Sequence, residues 1–132
     1  MAQTKPPSRY RDISLAFGIH PVYKDIGVLI DADAVKRSVM NLVLTNHYDR
    51  PFHPEIGCDV NKMLFENIMP ITALNIQRSV EDVITNFEPR VQLQQVTATA
   101  DPDNNGYSLT IQFSIINVPN LVTVSMFLER VR

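Results

Sequence analysis

The sequence predicts an α+β domain, a three-stranded antiparallel meander covered on one face by two main helices plus a short helix. Three observations predict it. Apolar residues recur at helical spacing up to Phe87, the period changes to two after Pro89, and two clusters of turn residues then divide the remainder into three alternating runs. With 132 residues and 45% hydrophobic content, the chain can build one modest core without disulfides. A flexible tail is expected over 1–11, and a single domain over 12–132.

The elements follow in order. The polar, proline-bearing start MAQTKPPSRY has too few apolar groups to pack, and nothing in it is expected to direct secretion. Ile13, Leu15 and Phe17 then alternate, and Gly27-Val28-Leu29-Ile30 is a short apolar run; we expect two extended segments split by His20-Pro21. Asp31 is expected to cap a helix running to about Thr45, with Val35, Val39, Leu42 and Val43 as its apolar stripe. The segment NHYDRPFHPEIGC, residues 46–58, carries two prolines and a glycine and reads as a shaped loop. Asp59 can cap a short helical stretch, VNKMLFENI, that Pro70 ends. Thr72 is expected to cap the strongest helix, in which Ile76, Val80, Val83, Ile84 and Phe87 share one face.

Val91 and Leu93 lie in one phase and Val96, Ala98 and Ala100 in the other, so a bulge is expected near Gln94-Gln95. DPDNNG, residues 101–106, should reverse the chain. Tyr107, Leu109, Ile111, Phe113 and Ile115 form the clearest strand. A turn is expected from Asn117 to Asn120, and Val122, Val124, Met126 and Leu128 alternate in the last strand.

A meander leaves two edges with unpaired backbone groups, which proteins usually blunt with lysine, proline or a covering loop. Here the segment LVTVSMFL, 121–128, carries no charge. Either the amino-terminal extended segment covers that edge or a partner adds a strand to it.

Charge and composition bound the chemistry. Net charge is -2 and charged residues make up 20% of the chain, so no basic field exists for a nucleic-acid backbone or an anionic membrane. No apolar run approaches the roughly 20 residues that cross a bilayer. One cysteine, Cys58, cannot form an internal bridge and suits a reducing compartment. The four glycines form no phosphate-binding pattern. Glu55, Glu66, Glu81 and Glu88 are the carboxylates a glycosidase would draw on, but their placement on separate surfaces does not suggest a facing pair. His47, Asp49, His53, Glu55, Cys58 and Asp59 share one loop, yet they lack metal-ligand spacing, and Pro51 and Pro54 hinder convergence. Cys58 with His53 is no better as a nucleophilic pair, since Cys58 could equally be a small buried residue. We expect no cofactor and no metal.

What remains are two stiff charged corners, Arg50-Pro51-Phe52 and Glu88-Pro89-Arg90. Proline disfavours helical geometry at the residue before it, which aims Arg50 and Glu88 with little entropy left to lose. A glutamate at a helix C-terminus opposes the helix dipole, so a cation should sit near it. Arg50, Arg90 or a partner subunit could supply that cation, and an Arg90→Ala change is expected to spare the isolated fold.

RPFHPEIGCDVNKMLFENIMPIT, from Arg50 to Thr72, followed by NFEPRV, closely resembles the sheath-initiating baseplate wedge family of contractile-tailed phages. The same family includes the sheath initiator of type VI secretion systems and often bears the label "lysozyme-like". The likeness covers roughly residues 10 to 132. It implies a structural protein, not an enzyme, assembled in the host cytoplasm into six copies per virion tail baseplate. The implied partners are the wedge core proteins, the tail sheath protein and tube-proximal baseplate proteins, with no nucleic acid or membrane. It also implies that E-P-R attaches to the wedge core, and we place Arg50, Pro51 and Phe52 with Glu88, Pro89 and Arg90 at that contact. The edge carrying Val122, Val124, Met126 and Leu128 would receive sheath arms. A peptidoglycan-degrading lysozyme-like enzyme is the competing reading.

Overall fold

Residues 10–116 and 118–130 are described by the structure, a computed structural model. The chain runs β1 (Arg11–Ile13), β2 (Val28–Ile30), α1 (Asp31–Leu44), α2 (Val60–Met63), α3 (Pro70–Phe87), β3 (Val91–Asp101), β4 (Gly106–Ile115) and β5 (Val118–Glu129). Two antiparallel sheets form, the pair β1-β2 and the three-stranded meander β3-β4-β5.

The two expected extended segments pair as a small hairpin, with Asp12 opposite Leu29. It is shorter than the alternation suggested. Leu15 lies in a turn and Phe17 has φ 48, which breaks the strand period. Residues 1–9 of the expected tail lie outside the described residues. Its last two, Tyr10 and Arg11, are engaged: the Tyr10 amide donates to the Asp31 carboxylate at 3.3 Å, and Arg11 pairs with Ile30.

α1 buries Val35, Val39, Leu42 and Val43, the stripe read from the sequence. α2 stops at Met63, well short of the nine-residue stretch expected, although Leu64 is buried beyond it. Pro70 opens α3 instead of merely ending the preceding stretch, at a first-turn position where its missing N–H costs nothing. Thr72 therefore sits inside the first turn. It is buried, its hydroxyl within 3.4 Å of the Asn67 carbonyl and 3.5 Å of Glu66, and Met69 takes the cap position. Ile76, Val80, Val83 and Ile84 are buried and Phe87 packs at the core margin. Each buried aliphatic side chain in this stripe contributes roughly 1.5–3 kcal/mol.

The register between β3 and β4 shifts between Leu93 and Gln95, where the change of phase placed a bulge. The reversal at 102–105 also forms. At the other end the expected turn from Asn117 to Asn120 is too long. Ile115 already pairs with Val118, and the register slips there to take up the extra residues. Asn117 itself lies outside the described residues. Tyr107, Leu109, Ile111, Phe113 and Ile115 of β4 fill the centre of the core between the helices and the sheet. Among the described residues, no helix is long and apolar enough to cross a membrane.

Candidate interaction sites

The corner after α3 forms because Pro89 forbids another helical turn. Glu88 leaves the helix at φ -122 and ψ 80, while its amide still closes the last turn on Ile84. Pro89 and Arg90 then form a tight turn, closed where the Val91 amide donates to the Glu88 carbonyl at 3.2 Å, and the turn brings Arg90 back onto Glu88. Arg90 Nε donates to Glu88 Oε1 at 2.6 Å and Nη2 donates to Oε2 at 2.8 Å. Ser38 of α1 donates its hydroxyl to the same Oε2. The Arg90 guanidinium lies 5.5 Å from the ring centroid of Tyr10.

Glu88 is only 3% exposed and the Arg90 side chain 30%. Burial alone pushes the Glu88 carboxyl up, but the hydrogen bonds from Arg90 and Ser38 outweigh it and hold it below its ordinary value. Arg90 is pushed up, chiefly by its hydrogen bond to Glu88. Of the three sources of positive charge the sequence left open for Glu88, the structure uses Arg90. Ser38 and Tyr10 were not legible as participants. A serine within an amphipathic helix carries no distinguishing pattern, and Tyr10 fell in the presumed tail.

Arg50 does not reach Glu88. It lies instead in the wall of a groove of about 360 Å³ whose other walls include Asp12, Leu42, Ile56, Glu88 and Arg90. Its side chain has no hydrogen bond or ion pair among the described residues. Pro51 is exposed and Phe52 is 92% exposed. The loop carrying them is nonetheless well braced. The Cys58 amide donates to Thr45 at 2.7 Å, Tyr48 to Pro54 at 3.1 Å, and the Asp49 carboxylate accepts the Asn46 amide at 2.9 Å. Gly57 packs on the backbone of Asn46, where an added Cβ would come within 2.5 Å of the carbonyl carbon.

The candidate metal ligands in this loop are dispersed. His47 lies 3.2 Å from Asp59, which also takes Lys62 at 2.8 Å, and His53 lies 3.1 Å from Glu55. Cys58 is 2% exposed within the core, and burial pushes its thiol up to about 11, opposite to what a nucleophile requires. Among the described residues, no three His, Cys, Asp or Glu side chains gather as a metal site would need. The four glutamates considered for glycoside hydrolysis also have separate engagements. Glu55 meets His53, Glu66 the Thr72 hydroxyl, and Glu81 the Gln77 amide at 3.0 Å. Glu88 is held ionised, whereas a general acid needs a raised value.

At the sheet, β3 and β5 are the edges, and β1-β2 forms a separate sheet that pairs with neither. Arg130 donates its amide to the Asn105 carbonyl at 2.9 Å, continuing the Gly106–Glu129 register. Backbone pairing alternates along an antiparallel ladder. Val122, Val124, Met126 and Leu128 therefore bond inward to β4, and Val122, Val124 and Leu128 are buried. Their side chains serve the core. The groups directed out of the sheet belong to Leu121, Thr123, Ser125 and Phe127, all exposed. Parity along the last strand separates the two sets, since side chains on opposite faces go with amides pointing to opposite sides, and the register with β4 decides which set points out.

Known proteins fit this geometry. A family described as "Baseplate wedge protein gp25" matches residues 31–120. The baseplate wedge protein gp25 of Enterobacteria phage T4 is 34% identical over 97 residues, covering 74% of this chain and 74% of the relative. A chain of the anti-feeding prophage baseplate superposes with a TM-score of 0.63 at 19% identity, over 93% of this chain and 87% of that one. A Geobacter sulfurreducens crystal structure named as a candidate tail lysozyme gives 0.60 at 21% identity, over 72% and 88%. At those identities the two structural likenesses concern the fold.

Proposed function

The chain belongs to the baseplate wedge protein gp25 family, structural components of contractile-tail baseplates, and on that premise we propose that it docks on the wedge core and starts the tail sheath. Its place is the virion baseplate, assembled in the host cytoplasm, in six copies. The partners are wedge core proteins at one site and the sheath protein at another, with tube-proximal baseplate proteins nearby.

One observation carries the sheath half. β5 is a twelve-residue edge strand whose segment 121–128 is uncharged and whose outer backbone groups no described strand covers. Such an edge accepts a strand through main-chain hydrogen bonds. β3 is the poorer receptor because its bulge at Leu93/Gln95 interrupts the outer row. The contact is therefore made by the backbone of Leu121, Thr123, Ser125 and Phe127, while Val122, Val124, Met126 and Leu128 position that backbone from the core side.

The docking half rests on Arg50, Pro51 and Phe52 beside Glu88, Pro89 and Arg90. The E-P-R corner is a prebuilt shape, since its ion pair is complete before any partner arrives, and Phe52 is too exposed to serve the core.

Proline substitution tests the edge. In Thr123→Pro and Ser125→Pro the lost N–H points outward, so the bonds to β4 survive. Baseplates should incorporate either variant and carry no sheath. Full-length sheaths on such baseplates would remove β5 from the reading.

A further inference from the structure

We propose that the groove beside Arg90 takes a carboxylate side chain from a neighbouring baseplate protein, with Arg50 as its cation; this rests on the docking reading above. The groove contains two arginines and two carboxylates, but they are not evenly matched. Both oxygens of Glu88 are occupied by Arg90 and Ser38. Asp12, on the hairpin side, contributes to raising Arg90 and accepts the Ile13 amide at 2.8 Å. Among the described residues Arg50 has no side-chain partner, and it lines a space of about 360 Å³ with Leu42 and Ile56 in its walls. That combination suits an incoming carboxylate whose methylene stem lies on apolar surface, with a guanidinium fork to receive it in two-point geometry.

The loop adds affinity without ordering cost. Tyr48 and Phe52, two residues before and two after Arg50 in the chain, are both exposed, and Trp, Tyr and Arg anchors dominate the energetics of protein interfaces. Tyr48 holds φ 71, a conformation uncommon outside glycine. Bonds between Tyr48 and Pro54, His53 and Arg50, and Ile56 and His53 fix the loop before binding.

The test counts copies of this chain per purified tail by quantitative mass spectrometry for wild type, Arg50→Lys, Arg50→Gln, Arg50→Glu and Phe52→Ala. All four variants should melt like wild type, since neither side chain supports the fold. Arg50→Gln should lower incorporation by about tenfold, Arg50→Glu by more, and Arg50→Lys by less than either. Second-site revertants of Arg50→Glu should map to an Asp or Glu changed to Lys or Arg in one baseplate protein. Normal incorporation of Arg50→Glu, with loss for Phe52→Ala, overturns the carboxylate and leaves the docking reading standing. Normal incorporation of both overturns the two together. Revertants without a charge change would also count against the carboxylate.

Discussion

Glu88 and Arg90 close a two-point ion pair across the single proline between them, at 2.6 and 2.8 Å, with the carboxylate buried and the guanidinium partly in solvent. The pair resolves the oddity of an acid at the end of α3. The local backbone leaves the helix, and a cation two residues on neutralises the charge that the helix terminus disfavours.

This geometry revises the expectation that Arg90→Ala spares the isolated fold. Removing the guanidinium strands a buried carboxylate with Ser38 as its remaining side-chain hydrogen-bond partner, and losing one member of a buried pair costs about 3–5 kcal/mol. Partial exposure of Arg90 should bring the cost to about 2–3 kcal/mol. Ser38→Ala should cost about 1–2 kcal/mol. Urea unfolding checks both, and an unchanged midpoint for Arg90→Ala would show that the pair does not hold α3 to its corner.

Acid should loosen the same corner. The Glu88 carboxyl lies below its ordinary value of 4.5 when folded, so the unfolded chain binds its proton first as pH falls. The stabilisation is thus complete above about pH 4.5 and is lost as pH drops through the folded value. Glu55, Asp59 and Asp101 shift in the same direction, but they lie nearer solvent, where screening leaves little effect. Stability measured between about pH 6 and pH 3 should fall less steeply in Glu88→Gln than in wild type; parallel curves would assign the acid sensitivity elsewhere.

Gly57→Ala should damage the docking loop more than an alanine usually does. The new Cβ would meet the backbone of Asn46 at 2.5 Å, and backbone cannot swing aside as a side chain can. A loss of about 1–3 kcal/mol is expected, with faster exchange at the Cys58 amide that donates to Thr45. Wild-type stability would mean that the loop is loosely held.

The last strand should show a two-residue rhythm in hydrogen exchange on the isolated protein. Amides of Val122, Val124, Met126 and Leu128 bond to β4 and should be protected, while those of Leu121, Thr123, Ser125 and Phe127 should exchange freely. Uniform protection along the strand would mean that something already covers the edge.

Much of this was legible beforehand because it depends on periodicity. The stripes of α1 and α3, the β3 bulge and the order of the meander follow from where apolar residues repeat. The misread boundaries share a different cause. Pro70 and Thr72 are each compatible with the end or the start of a helix, and only the packing of Thr72 against Asn67 decides. Composition also favoured a tail at Tyr10, because a bond to Asp31 and a stacked guanidinium leave no trace in local pattern. For the interaction sites, residue types pointed to the corner and the edge, but not to the partner Glu88 takes or to which half of β5 faces outward. Those depend on long-range register.

An image of the assembled tail at side-chain resolution tests the central claim most directly. The account predicts a foreign strand lying along β5, hydrogen-bonded to the main chain of Leu121, Thr123, Ser125 and Phe127. A β5 edge left to solvent in the finished sheath would contradict it.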